Sequence, residues 1–400
     1  MNVRTVAFYN RPFPSGGAET VSRNLAHYFH RQGLRVLIYT SQLDSSLLTE
    51  EDLRAFETRV LPVSENEHHP TNVAFLRESL DAEAVDIMIV QGCTGFPFDK
   101  LYRQVRCRLI YCLHSIPLWE VEDRRNLKSR QLYNPTLLRR AAFTLLRKPL
   151  YLLTDKLKRR YLKYYAGICR NCDRYVTLCP EYARQLIHEL QRHGYQPDSE
   201  RFASIANPLL PAQEPTRCPK EKIVLFVGRL SHCDKRVDRL LKIWKRVERS
   251  VDEWRLVLVG DGPERENLLK LARRLQLRRV EFAGYQSDVA PYYRRAAFIC
   301  LTSSFEGFPM SLLEGQQYGA IPVSFDSYAA VREITRNGEA GILVPPFSKR
   351  QYARRLTDAI LDKEAQTRMR EQSYQQAANY ELEKIGARWL RFFKDLNEQR

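Results

Sequence analysis

Seven residues separate two carboxylates, Glu306 and Glu314, in the run Ser303-Ser304-Phe305-Glu306-Gly307-Phe308-Pro309-Met310-Ser311-Leu312-Leu313-Glu314. The run follows an apolar strand pattern at 297–301, so Glu306 is expected in the loop at a strand's carboxyl end. Pro309 suits the first turn of a helix, which puts Glu314 inside that helix. Carboxylates accept paired hydrogen bonds from vicinal hydroxyls, so the spacing fits recognition of a sugar or a ribose. Amides at the helix start, around 308–310, would face an anion.

Two cations occupy a comparable place. Phe226-Val227-Gly228-Arg229-Leu230 closes another strand pattern, and Lys235 follows six residues after Arg229. Open α/β sheets bind ligands at that edge. The pair either grips a diphosphate, at roughly 1.5–3 kcal/mol per charged hydrogen bond, or is simply solvated. Pro14-Ser15-Gly16-Gly17 lies between the first strand and the first helix. It is either an ordinary turn or a loop whose backbone approaches a phosphate. No G-x-G-x-x-G occurs, and Gly260-Asp261-Gly262-Pro263 lacks the third glycine, which argues against a dinucleotide site.

Asp-x-Asp is also missing. A diphosphate would then be neutralised by cationic side chains and amides, without a divalent ion held by carboxylates. Nine cysteines are scattered without a framework, and Cys169-x-x-Cys172 has no second pair for zinc. Packed thiols in a reducing compartment are the expectation, with no metal and no cofactor.

Behind these residues stands an alternation of strands and helices. Strand patterns at 3–8, 35–40, 86–90, 109–113 and 175–178 are interleaved with helical ones at 18–32 and 180–191. A Pro-rich stretch with Pro208, Pro211, Pro215 and Pro219 reads as a linker over 206–220. A second alternating series follows, with strands at 223–227, 255–259, 280–283, 298–301, 321–324 and 341–344. Repeated βαβ units imply parallel sheets, so an α/β chain of two Rossmann-like halves is predicted. No run of about 18 uncharged apolar residues exists, and the first residues lack a secretory layout.

The net charge of +17 is concentrated. Residues 124–170 hold 14 Lys or Arg against one acid, Asp155, interleaved with Leu137, Leu138, Phe143, Leu145, Leu146, Leu150, Leu153, Leu162, Tyr164 and Tyr165. No nucleic-acid module accompanies them, so no nucleic-acid partner is expected. A purely solvated helix would not carry so many apolar residues. A basic amphipathic element on an anionic membrane surface is the preferred reading, with the protein peripheral on the cytoplasmic face.

Read in order, the motifs resemble the retaining GT-B glycosyltransferases of family 4. They are the Gly16-Gly17 loop, His114 after a strand, Asn207-Pro208, Gly228-Arg229-Leu230 with Lys235, Gly260-Asp261-Gly262-Pro263, Phe282-Ala283-Gly284, and Glu306-x7-Glu314. The resemblance implies two Rossmann-like domains facing across a cleft. Residues 1–205 would bind the acceptor and 221–377 a nucleotide-sugar, while a last helix within 378–400 crosses back. Arg229, Lys235, Gly16 and Gly17 would hold the donor's diphosphate. Glu314 would bind the ribose, Tyr285 the base, and Glu306 and His114 the transferred sugar. The implied reaction is metal-independent transfer, with retention, to a saccharide or lipid-linked saccharide in cell-surface polysaccharide or lipopolysaccharide biosynthesis. Two alternatives stay open: another GT-B enzyme such as a nucleotide-sugar epimerase, and a non-catalytic basic membrane-associated scaffold. Gly315-Gln316-Gln317, where the family commonly has small apolar residues, and Cys179, in place of Ser, depart from the pattern. The first departure is expected to bear on donor preference.

Overall fold

A computed structural model of the chain describes residues 3–126, 136, 141–212 and 217–398. Its contacts divide into two units. The first comprises Met1–Pro117, Lys158–Leu210 and Glu381–Arg400, and the second Leu118–Leu157 and Pro211–Tyr380.

The first unit is built on β1 (Thr5–Phe13), β2 (Arg35–Leu43), β3 (Glu57–Val60), β4 (Ile87–Gln91), β5 (Arg108–Leu113), β6 (Arg174–Thr177) and β7 (Phe202–Ser204). They pair in parallel in the order β3-β2-β1-β4-β5-β6-β7. Helices cover both faces of such a sheet, so its central strands must be apolar throughout. Residues 6–9, 87–90 and 109–113 meet that demand and are buried. The helix Leu382–Glu398 packs on Gly17–Arg31, with the Phe29 and Phe393 rings 5.3 Å apart. At Gly386 an added Cβ would lie 2.3 Å from Tyr28 Cε1, so the contact leaves no room for a side chain.

The second unit carries β8 (Glu221–Val227), β9 (Arg255–Val259), β10 (Val280–Gly284), β11 (Ala296–Leu301), β12 (Ile321–Phe325) and β13 (Ile342–Val344). Their order is β10-β9-β8-β11-β12-β13, again parallel. From β8 the chain proceeds outward through β9 and β10, then returns to the other side of β8 as β11. The strand order therefore reverses between β8 and β11, the point where open α/β sheets form a ligand crevice. The helix Val237–Val247 buries Val237, Leu240, Leu241, Ile243, Trp244 and Val247. Its Trp244 indole donates to Arg279 O at 3.1 Å.

Several expectations change. β1 extends through Phe13, because Asn10, Pro12 and Phe13 stay in register with Thr40, Gln42 and Leu43. The edge strands β3 and β7 escaped the sequence reading because they are short and only half-apolar. Past β13 the chain forms three helices, Lys349–Leu361, Lys363–Ala378 and Leu382–Glu398, the last of them within the expected 378–400. Asp362 makes the first break, accepting the Ala365 N–H at 2.8 Å as a cap.

The basic segment 124–170 is also split. Only its part from Lys158 lies in the first unit, and the part up to Leu157 belongs to the second. One reason is local: the helix Trp119–Asn126 rests on the Arg229–Lys235 loop through a hydrogen bond between Asp123 and Cys233. Residues 127–135 and 137–140, with Leu137 and Leu138 among them, and linker residues 213–216 lie outside the described residues.

Candidate active site

The strand-order reversal in the second unit brings together the loops that follow β8 and β11. Arg229 and Lys235 lie on the first, Ser303 and Glu306 on the second. The loops are stitched by Ser304 N–H donating to Asp234 O at 2.7 Å and Thr302 Oγ1 donating to Arg236 O at 3.0 Å. Lys235 Nζ donates to both Glu306 oxygens, at 2.8 and 2.9 Å. Ser303 Oγ donates to Glu306 Oε1 at 2.6 Å. Arg229 projects outward, 69% exposed, with Nη2 3.3 Å from Asp234 Oδ2. Burial raises the Asp234 carboxyl, but the Ser231 hydroxyl and the charges of Lys235 and Arg229 outweigh it and hold the group below the usual carboxylate range. Each cation is thus matched by a carboxylate.

Glu314 lies in the helix Met310–Gln317, which starts just after Pro309. Burial pushes its carboxyl above the ordinary range, against the opposing influence of the Tyr293 hydroxyl and the Lys235 charge. This helix sits close on β11, since a Cβ at Gly315 would lie 2.8 Å from Ile299 Cγ2. Gln316 is fully buried and donates to Ile334 O and Ala340 O at 3.0 and 2.9 Å. These bonds fasten the helix to the end of the helix Ala329–Ile334 and to the turn before β13, so the expected bearing on donor preference does not pass through a Gln316 contact.

Gly260 closes the same edge. Its φ is +130°, and an added Cβ would stand 2.1 Å from Gly228 O. Only glycine lets the loop after β9 approach the loop after β8 so closely. Tyr285, just past β10, is 75% exposed. His232 is buried, with Nδ1 3.9 Å from Asp238 Oδ1.

In the first unit, Gly16 has φ +133° and precedes the helix Gly17–Arg31. The Glu19 carboxylate folds back against Gly16, where a Cβ would meet its Oε2 at 2.0 Å. Burial raises that carboxyl above its ordinary value. His114 follows β5, in close contact through Nε2 with Gln91 Oε1. Its burial depresses the imidazole pKa to about 4, so the ring is neutral at physiological pH. His114, Gly16 and Gly17 belong to the first unit; Arg229, Lys235, Tyr285, Glu306 and Glu314 belong to the second.

None of the nine cysteines is in a disulfide, and burial pushes the Cys169 thiol up to about 12. Among the described residues no three His, Cys, Asp or Glu side chains gather as a metal-binding group. Sequence reasoning missed Ser303, Asp234, Tyr293 and Gln91. Ser303 and Asp234 sit inside the motifs, three residues before Glu306 and one before Lys235. Tyr293 and Gln91 lie on separate elements, and no spacing marks them.

Two family models match the chain in sequence order. "Glycosyltransferase Family 4" covers residues 15–198 and "Glycosyl transferases group 1" covers residues 212–376. An uncharacterized glycosyltransferase of Haemophilus influenzae is 27% identical over 379 residues, covering 94% of this chain and 95% of its own. An α-1,4-N-acetyl-D-galactosaminyltransferase of Campylobacter jejuni is 26% identical over 178 residues, covering 44% of this chain and 49% of its own. Its name specifies a saccharide on PP-undecaprenol. The crystal structure of Anabaena HepE in complex with UDP superposes with a TM-score of 0.72 over 98% of this chain and all of its own, at 15% identity. That likeness carries the fold: two Rossmann-like, parallel-sheet domains. With its two halves matched in order and this architecture in both, the chain belongs to the GT-B glycosyltransferases of the glycosyl transferases group 1 family.

Proposed function

We propose that the protein moves a glycosyl group from a nucleoside-diphosphate sugar to a hydroxyl of a saccharide or lipid-linked saccharide, with retention and without a metal ion. The observation that carries this reading is the Lys235–Glu306 pair beside Arg229 at the strand-order reversal, with Glu314 on the adjoining helix. Arg229 and Lys235 meet the diphosphate. Glu306, released from Lys235, accepts hydroxyls of the donor sugar, and Glu314 accepts those of the ribose. Tyr285 is the proposed contact to the base. From the first unit, Gly16 and Gly17 are the proposed amide donors to the distal phosphate, and neutral His114 the proposed contact to the donor sugar.

In the transfer the acceptor oxygen forms a bond to the anomeric carbon, and the bond from that carbon to the diphosphate oxygen breaks. The electron pair leaves with the diphosphate, whose growing charge falls on Arg229 and Lys235. The acceptor's proton passes to the departing phosphate oxygen on the same face. Relatives whose names specify glycosyl transfer, one of them to a saccharide on PP-undecaprenol, support the reaction class, and relatives named for amylovoran biosynthesis and for lipopolysaccharide 1,6-galactosyl transfer support the setting in cell-surface polysaccharide or lipopolysaccharide synthesis. The test is transfer and hydrolysis against a panel of nucleotide-sugars, with and without chelator. Loss of turnover in Arg229→Ala is expected. Turnover at the wild-type rate in that variant would overturn the assignment, and conversion of the nucleotide-sugar without acceptor would favour an epimerase.

Membrane association is part of the proposal, and the surface responsible is narrower than 124–170. In the helix Lys156–Arg170 the residues Leu162, Tyr165, Ala166, Ile168 and Cys169 are buried in the protein, so this face is not available to lipid. Ahead of it, Phe143–Arg147 forms one π-helical turn, and Pro149 lies in the first turn of the helix Lys148–Leu153. Leu145, Leu146 and Leu153 are 72%, 71% and 82% exposed there, beside Arg147 and Lys148. No described helix is long and apolar enough to cross a membrane. Exposed leucines among cations fit an anionic interface, at about 1 kcal/mol per cation and roughly 1.5–3 kcal/mol per fully inserted leucine. Leu145→Ser with Leu146→Ser and Leu153→Ser is expected to abolish flotation with vesicles containing anionic lipid at low salt. Unchanged flotation would sink the idea.

A further inference from the structure

The short helix Ala290–Arg295 presents Tyr293, which is 1% exposed, to Glu314. The Tyr293 hydroxyl donates to Glu314 Oε2 at 2.6 Å. Its ring lies nearly parallel to that of Tyr318, at 7° with centroids 6.3 Å apart. The backbone beneath is tied as well, since Lys220 Nζ donates to Tyr293 O at 3.1 Å and to Arg294 O at 2.8 Å. Tyr293 therefore has a fixed ring, a fixed backbone and one polar contact. Glu314 Oε1 has no hydrogen-bond partner among the described residues.

We propose that Tyr293 is a positioning residue that holds Glu314 ionised and oriented for the ribose diol of a nucleoside diphosphate. The inference rests on the ribose role given to Glu314 above. A carboxylate this enclosed needs a donor to remain charged, because burial favours its neutral form. The groups facing it are the Tyr293 hydroxyl from one helix, the Lys235 ammonium from the loop after β8, and Tyr318 at the end of its own helix. The Lys235 ammonium is bound to Glu306 rather than to Glu314, which leaves Tyr293 as the hydrogen-bond donor. A protonated Glu314 would no longer accept two hydroxyls, so the ionised form is the one that distinguishes ribose from 2′-deoxyribose.

The sign follows from the direction of the shift. Glu314 already ionises above the ordinary carboxyl range, so its charge is lost as pH falls through that raised value. Removing the Tyr293 hydroxyl raises it further and moves the loss toward neutrality. UDP, GDP, ADP and CDP are titrated singly into the full-length protein by calorimetry from pH 5.5 to 8.5. The 2′-deoxy form of whichever binds most tightly is titrated beside it. In Tyr293→Phe, which keeps the ring and its stacking on Tyr318, affinity for the ribonucleotide is expected to fall about tenfold at pH 7. The fall steepens with acidification, and preference over the 2′-deoxy form shrinks. Glu314→Gln should be weak and independent of pH, while kcat at saturating donor in Tyr293→Phe stays near wild type. Tyr293→Phe keeping the wild-type pH profile and ribose preference would overturn the positioning role alone. Absence of binding to any of the four nucleotides by the wild type would refute the donor reading, and the role of Tyr293 with it.

Discussion

Replacing Glu306 by glutamine should separate nucleotide affinity from turnover. Lys235 Nζ stands 2.8 and 2.9 Å from the two Glu306 oxygens, and the side chains are only 19% and 11% exposed. Unit charges this close attract by about 6 kcal/mol at an effective dielectric near 20. Desolvating both groups offsets most of that, leaving a net hold of about 1–2 kcal/mol. An incoming diphosphate must break this hold to recruit Lys235. Glu306→Gln removes it beforehand, so a nucleoside diphosphate lacking the sugar is expected to bind about 5–30-fold tighter. Sugar transfer should nevertheless fall by about a hundredfold or more, because the amide cannot support charge at the reacting sugar. Lys235→Met should act in the opposite sense on binding, weakening nucleotide affinity about 10–100-fold through loss of a charged hydrogen bond of roughly 1.5–3 kcal/mol. Calorimetric titration with nucleoside diphosphates and a transfer assay on the same three proteins read both effects. If Glu306→Gln loses nucleotide affinity in step with Lys235→Met, or keeps full turnover, the idea of Glu306 as a displaceable counter-charge is wrong.

Other outcomes follow from single contacts. Gly386→Ala forces a Cβ into Tyr28, and overpacking of this kind costs about 1–3 kcal/mol. Limited proteolysis should then release the C-terminal helix faster than from the wild type. Gln316→Leu strips a hydrogen-bond donor from the carbonyls of Ile334 and Ala340, so a loss of about 1–3 kcal/mol is expected, with the donor preference unchanged in a nucleotide-sugar panel. His114 should show an imidazole titration by NMR near its depressed value of about 4. Its neutral burial contributes stability that is fully present above the ordinary histidine value of about 6.5 and declines as pH falls toward 4. Thermal unfolding across that window, compared with His114→Gln, checks the sign.

The second unit was largely legible because its strands are short apolar runs ended by glycine or polar loops. Residues 255–259 and 298–301 needed only composition and spacing to be placed. The first-unit edges were not legible. β7 has three residues, and its pairing with β6 is settled by neighbours distant in sequence. Helical periodicity over 124–170 likewise marked apolar stripes, yet not which would face protein. Leu162 packs inside while Leu153 stays exposed, and only the surrounding elements make that distinction.

Periodicity and loop motifs are local properties, and they sufficed for the α/β class, the doubled architecture and the residue types of the candidate site. Which group holds which is set by the folded chain. Lys235 and Glu306 are 71 positions apart and Tyr293 and Glu314 are 21 apart. Their pairing depends on the reversal of strand order between β8 and β11 and on the close seating of the Glu314 helix over Ile299. Hydrogen bonds act over about 3 Å, so the chain must first be folded before a charge can find its partner.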